Sequence, residues 1–173
     1  MVPSPTEGVC PVPEHADPPR ALPIDPDTPA SAVTPLHLRA WAVVSVGIGG
    51  VFGAPLRYQL GVWFPHSAGG WPVTTFAINT VGAFALGWLL EGLTRLGPDN
   101  GWRRRARLGV GTGFLGAFTT YSTLAVDTDL LLRGQHWSTA AIYAVGTVLA
   151  GLVATTTGIA VGAWMRSGRA KGL

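Results

Sequence analysis

The residues with most chemistry in them form one run, Gly113-Phe114-Leu115-Gly116-Ala117-Phe118-Thr119-Thr120-Tyr121-Ser122-Thr123, inside an apolar segment. A helix crossing lipid has no need of such a run. Glycine weakens a helix, and clustered Ser and Thr side chains offer its backbone alternative hydrogen-bond partners. Interrupted helices at membrane depth persist only where protein packs around them or where they line a polar path. The run therefore reads as a transmembrane helix broken for ion or substrate contact.

The other polarity inside the apolar segments is also neutral: Thr74, Thr75, Asn79 and Thr80 in one, Thr147 and Thr155-Thr156-Thr157 in another. Asn79 is the sharpest of these, because an unpaired amide in hydrocarbon costs several kcal/mol. Two readings stand for it, a group lining a path or a clamp between two helices. Acidic residues are expected only toward segment ends, at Glu91 and Asp127, with Asp129 beyond. Proton-coupled exporters need a carboxylate within the membrane, so this placement weighs against a small secondary transporter. The sequence shows no nucleophile–base pair and no HExxH motif, and it is read as a non-enzyme.

Four apolar segments must position these residues: Leu38–Leu60, Trp71–Leu93, Arg107–Leu132 and Ser138–Trp164. Each supplies the roughly 20 residues that a helix needs to span the hydrocarbon core. Of the 173 residues 12% are charged, against about 25% in soluble domains. The expected fold is an all-α membrane protein with four transmembrane helices, the third broken, over residues 37–165. Residues 1–36 carry ten of the 14 prolines with scattered acids. That composition cannot offset ordering entropy and reads as a disordered tail, and residues 166–173 as a short basic one. Cys10, the one cysteine, has no internal disulfide partner. The many glycines within the spans favour close helix packing, in a tight bundle or an oligomer.

Charge outside the spans is segregated. Arg39, Arg95, Arg103, Arg104, Arg105, Arg107, Arg166, Arg169 and Lys171 fall on one side, Arg133 and Arg57 toward the other, and the Gly61–Gly70 loop has no Lys or Arg. The positive-inside rule places both termini in the cytoplasm of a multi-pass cell-membrane protein. The Arg103–Arg107 cluster reads as this topology signal in preference to a nucleic-acid or anionic-lipid contact, and no nucleic-acid partner is expected.

Three motifs, in order, resemble the Fluc (CrcB) family of fluoride channels. They are Gly49-Gly50-Val51-Phe52-Gly53-Ala54-Pro55-Leu56-Arg57-Tyr58, Thr75-Phe76-Ala77-Ile78-Asn79-Thr80-Val81-Gly82-Ala83-Phe84, and the Gly113–Thr123 run. The resemblance implies a fluoride-specific channel in membrane lipid, built from two antiparallel subunits around two pores. It implies a structural sodium ion at the dimer centre, not transported, held by backbone carbonyls that fall on Gly116 and Thr119. It places Asn79, Tyr121, Ser122, Thr123 and Thr147 along the fluoride path and Arg57 at a vestibule. Arg57 also reads as an interfacial anchor that snorkels to the headgroups. Leu124 stands where the family has a second aromatic ring, which keeps a non-conducting partner subunit open as an alternative. An antiparallel homodimer needs one chain to insert both ways, which a strong Lys/Arg bias opposes. The second subunit is therefore either another copy or, as the bias favours, an oppositely oriented homologue.

Overall fold

The structure, a computed structural model, describes residue 36, residues 39–67 and residues 69–167. The proline-rich tail expected over 1–36, apart from Leu36, and the basic tail over 166–173, apart from the backbone of 166 and 167, lie outside the described residues. Every regular element among the described residues is helical. Helix α1 spans Ala40–Trp63 and α2 spans Val73–Arg95. Pro55 sits inside α1 without ending it. The helix runs three residues past the Leu60 end of the apolar segment, to Trp63. A proline removes one backbone donor, and packing against neighbouring helices tolerates that loss.

The stretch expected as a third span is not one helix. It begins with α3 (Gly101–Ala106), passes into a π-helical run over Arg107–Leu115, and closes with the single turn α4 (Gly116–Phe118). Two extended residues, Thr119 and Thr120, separate it from the 13-residue α5 (Tyr121–Arg133). Helix α6 (Trp137–Ser167) completes the chain. Among the described residues three helices are long and apolar enough to cross a membrane: α1, α2 and the Trp137–Trp164 part of α6. Helix α5 is too short to do so alone, since a spanning helix needs roughly 20 residues.

Two close backbone contacts organise the bundle. Helix α2 packs most extensively on α6, and pairs such as Gly87 with Thr155 and Glu91 with Gly162 show that they run parallel. A methyl on Gly158 would overlap the carbonyl oxygen of Phe84. Helix α1 lies parallel to the π-helical run in the same way. A methyl on Gly113 would overlap the carbonyl oxygen of Val46, and one on Gly53 that of Phe114. Small residues let helices approach this closely.

The loop leading to α3 is built by its arginines. Arg103 donates to the Leu96 and Pro98 carbonyls and to Asn100 Oδ1. Arg107 donates to Asp99 at 2.7 Å, and this bond holds the Asp99 carboxyl below its ordinary pKa. Arg105 lies over the Trp41 ring, 5.9 Å from its centroid. The cluster thus folds its own loop, whatever it also signals during insertion.

Candidate functional site

The site is the break itself. Thr119 (φ −76°, ψ 157°) and Thr120 (φ −149°, ψ 122°) are both extended, so the helical hydrogen-bond ladder stops there. In an unbroken α-helix each N–H reaches the carbonyl four residues back. Thr120 N–H would then bond Gly116 and Thr123 N–H would bond Thr119. Here Thr120 N–H donates to Asn79 Oδ1 at 2.8 Å, and Asn79 Nδ2 donates back to the Thr120 carbonyl at 2.9 Å. One amide on α2 therefore satisfies both backbone groups of an extended residue on another element. Thr123 N–H goes to Thr120 Oγ1 at 3.1 Å, an N-cap for α5.

These diversions leave the carbonyls of Gly116 and Thr119 without their usual helical donors. Nearby, Arg57 Nη1 donates to the Thr119 carbonyl across a long 3.4 Å. Thr119 turns its own N–H and hydroxyl back to the Leu115 carbonyl, each at 2.9 Å. A hard cation takes oxygen ligands, and carbonyls released by a broken helix are suitable ones. The donor set at Gly116 and Thr119 thus fits a sodium ion, with further oxygens needed to complete its coordination.

The break stands between two cavities. One, of about 360 Å³, is lined by Asn79, Gly116, Thr119, Tyr121, Leu124 and Thr147 among others. The other, of about 350 Å³, is lined by Arg57, His66, Thr75, Thr123 and Asp127 among others, and Thr120 borders both. Asn79, Gly116, Thr119, Tyr121 and Thr147, expected as site residues, therefore meet in one place. Arg57 and Thr123 meet on the other side of the break, and Ser122 lines neither cavity. Ser122 Oγ does lie 3.1 Å from Thr120 Oγ1, within the hydroxyl cluster that starts α5. Tyr121 is 81% exposed, with its ring turned away from the subunit's own core. Thr147 is buried and donates back to the Tyr143 carbonyl at 2.6 Å.

Asp127, read in the sequence as lying near a span end, is a buried carboxylate whose neighbours stand toward one end of the helices. Asp127 is only 5% exposed. Its Oδ2 accepts from Thr75 Oγ1 at 2.8 Å and from Tyr143 OH at 3.1 Å, and His66 Nε2 stands 3.9 Å from Oδ1. Thr75 lies in the first turn of α2 and His66 in the loop after α1, so Asp127 is buried by protein contacts near the ends of these helices. Thr120, Thr123 and Asp127 fall on one helical face, as do the pairs Thr75/Asn79 and Tyr143/Thr147, each four apart. That spacing was available in the sequence and marks a polar stripe that composition alone did not suggest.

Chemically, the arrangement presents an amide and several hydroxyls as hydrogen-bond donors, beside backbone carbonyls that can hold a cation. Only one of the two N–H groups of the Asn79 amide is used on Thr120, and a primary amide carries two.

Comparison with known proteins gives the family of the chain. The family model described as "CrcB-like protein, Camphor Resistance (CrcB)" matches residues 44–159. Fluoride-specific ion channel FluC 2 of Leifsonia xyli subsp. xyli is 46% identical over 75% of this chain and 88% of its own length. Fluoride-specific ion channel FluC 3 of Streptomyces avermitilis is 45% identical over 73% of this chain, which spans 60% of that relative's length. Fluoride-specific ion channel FluC 1 of Cutibacterium acnes is 43% identical, covering 67% of this chain and 81% of its own. The chain belongs to the CrcB-like family of membrane proteins.

Proposed function

We propose that this chain is a subunit of a fluoride-specific ion channel that lowers cytoplasmic fluoride by passive export. The observation that carries the reading is the Thr119–Thr120 break, set beside Asn79 in a chain whose relatives bear the name of fluoride channels. Fluoride is small and tightly hydrated, so a path for it must replace water with donors. The unused N–H of Asn79 and the hydroxyls of Ser122 and Thr123 supply donors, Thr147 lines the same cavity as Asn79 with its hydroxyl given to the Tyr143 carbonyl, and the edge of the Tyr121 ring supplies a positive rim. The start of α5 adds the positive end of a helix dipole at the same point. Arg57 attracts anions to the cavity on the far side of the break.

In this reading the stretch from α3 to α5 is a third, broken transmembrane helix, and a structural sodium ion rests on the carbonyls of Gly116 and Thr119. A sodium ion needs more oxygens than these two, and an antiparallel second subunit across a two-fold axis brings the matching pair. The exposed Tyr121 and Gly116 then face that subunit. Both termini are cytoplasmic, and the Lys/Arg bias favours a heterodimer with an oppositely oriented homologue over a homodimer. A second reading, a non-conducting partner subunit, draws on Leu124. It is 8% exposed and packs in the core with Leu131, Ala140 and Tyr143, so it offers no ring edge to an ion.

Expression in a fluoride-hypersensitive bacterium tests the function. Rescue of growth on fluoride is expected, with the chain alone or with its partner; no rescue in either arrangement counts against it. Reporter fusions at the C-terminus test orientation. Signal from the cytoplasmic side alone fits the heterodimer, whereas equal signal from both sides returns the homodimer.

A further inference from the structure

Two side chains at the break do work that neither a pore lining nor a helix clamp requires. Thr120 N–H is the donor that would otherwise close on the Gly116 carbonyl, and Asn79 Oδ1 holds it at 2.8 Å. Thr123 N–H is the donor that would otherwise close on the Thr119 carbonyl, and Thr120 Oγ1 holds it at 3.1 Å. Buried backbone groups do not stay unpaired when a helical partner is within reach, because each costs free energy comparable to a lost hydrogen bond. Without these two acceptors the ladder would have reason to close through the break, and the carbonyls would be used up within the chain.

We propose that Asn79 and Thr120 are positioning residues that hold the Gly116 and Thr119 carbonyls open for a monovalent cation, by capturing the two N–H groups that would otherwise cap them. The inference rests on the sodium reading given above. Asn79 thereby couples the cation to the anion path, since its Oδ1 keeps the break open while the residue also lines the cavity shared with Thr147. Thr120 borders both cavities, and its hydroxyl is engaged with Ser122 and Thr123, so its part is likewise internal to the break. Arg57, at 3.4 Å from the Thr119 carbonyl, is a competing donor, weaker than a normal hydrogen bond at that length.

The test is the thermal stability of the purified, full-length assembled protein, measured in sodium and in N-methylglucamine at equal ionic strength. A cation that binds only the folded state raises the melting temperature by mass action. The wild-type protein is expected to melt higher in sodium. Asn79→Leu and Thr120→Val should abolish that difference. A purely structural role would lower both melting temperatures equally and leave the difference intact, and that result would overturn the proposal. Where Asn79→Leu fails to assemble, Asn79→Asp keeps an acceptor for Thr120 N–H and loses the donor. It should retain the sodium difference while losing fluoride transport, and loss of the sodium difference in this variant would equally overturn the proposal. If the wild type itself shows no difference between the cations, the sodium reading fails, and the proposal fails with it.

Discussion

The α2–α6 contact and the contact of α1 with residues 107–120 use the same device and reach different ends. Both bring backbones together through glycine: Gly87 and Gly158 in the first, Gly49, Gly53 and Gly113 in the second. In the first, both helices stay regular, and the contact is closed by aromatic packing of Trp71 edge-on to Tyr143. In the second, one partner becomes a π-helical run and then stops being a helix. The difference lies in what surrounds the glycines. Just after Gly116 an amide oxygen from α2 and a threonine hydroxyl oxygen accept the backbone N–H groups of Thr120 and Thr123 in place of the helical carbonyls. Beside Gly158 the hydroxyls of Thr156 and Thr157 donate back to the Leu152 and Val153 carbonyls of their own helix and that of Thr155 reaches the Ala83 carbonyl, so they leave the helical N–H groups to the ladder. Close packing is thus common to both regions, and the helical ladder stops in the one where side chains accept backbone N–H groups. π-helical turns are frequent at functional sites for this reason.

Substitution at Gly158 should break the regular region most completely. Gly158→Leu drives a side chain into the Phe84 carbonyl, and the cost should exceed the roughly 1–3 kcal/mol of ordinary overpacking. Size-exclusion chromatography in detergent should show loss of monodisperse protein. Gly47→Ala is the matched control, because nothing lies within 4 Å of the added methyl. A monodisperse Gly158→Leu protein would mean the α2–α6 contact is not as tight as described.

The next largest effect belongs to the irregular region and to function. Asn79→Asp removes the amide donor and places an acceptor, anionic when ionised, toward an anion path. A penalty above about 1.4 kcal/mol makes the expected fall in fluoride flux at least tenfold. The protein should still assemble, and a fluoride electrode reads the flux. Wild-type flux would remove Asn79 from the path and leave it as a clamp alone.

Gly116→Val and Thr119→Ala sharpen the contrast further. Within one subunit the nearest atom to a methyl on Gly116 is 4.0 Å away, the Gly111 carbonyl oxygen. A β-branched residue restricts the backbone there, and an antiparallel subunit would crowd it. Loss of the dimer with a folded subunit is the expected outcome, read by cross-linking. Thr119→Ala removes one hydroxyl bond to Leu115 and leaves the carbonyl in place. Its cost should be about 1 kcal/mol, the smallest of the series. Equal effects from the two substitutions would argue that side chains, and not the backbone, matter at the break.

The regular region is the more legible in the sequence. An apolar stretch long enough to span lipid declares a helix, and Trp71–Leu93 and Ser138–Trp164 lie within a few residues of α2 and α6. The location of the break was also legible, because Gly and hydroxyl residues gather there. What holds the break was not. Asn79 and Thr120 are 41 residues apart, and no local spacing pairs them. The burial of Asp127 was not legible either, because its partners Thr75 and Tyr143 lie on other helices. Leu124 reads in the sequence as a missing ring, while its place in the core with Tyr143 depends on how α5 meets α6.

The most direct test of the account is fluoride efflux from liposomes containing the purified chain, alone and with an oppositely oriented homologue, with and without a proton uncoupler. The account predicts rapid passive fluoride loss from at least one of the two preparations, retention of chloride, and no dependence on the uncoupler. Absence of fluoride flux from both preparations, or flux that needs a proton gradient to proceed, would contradict it. The second of these would return the buried Asp127 to the centre of the mechanism, as the proton-coupling group of a transporter.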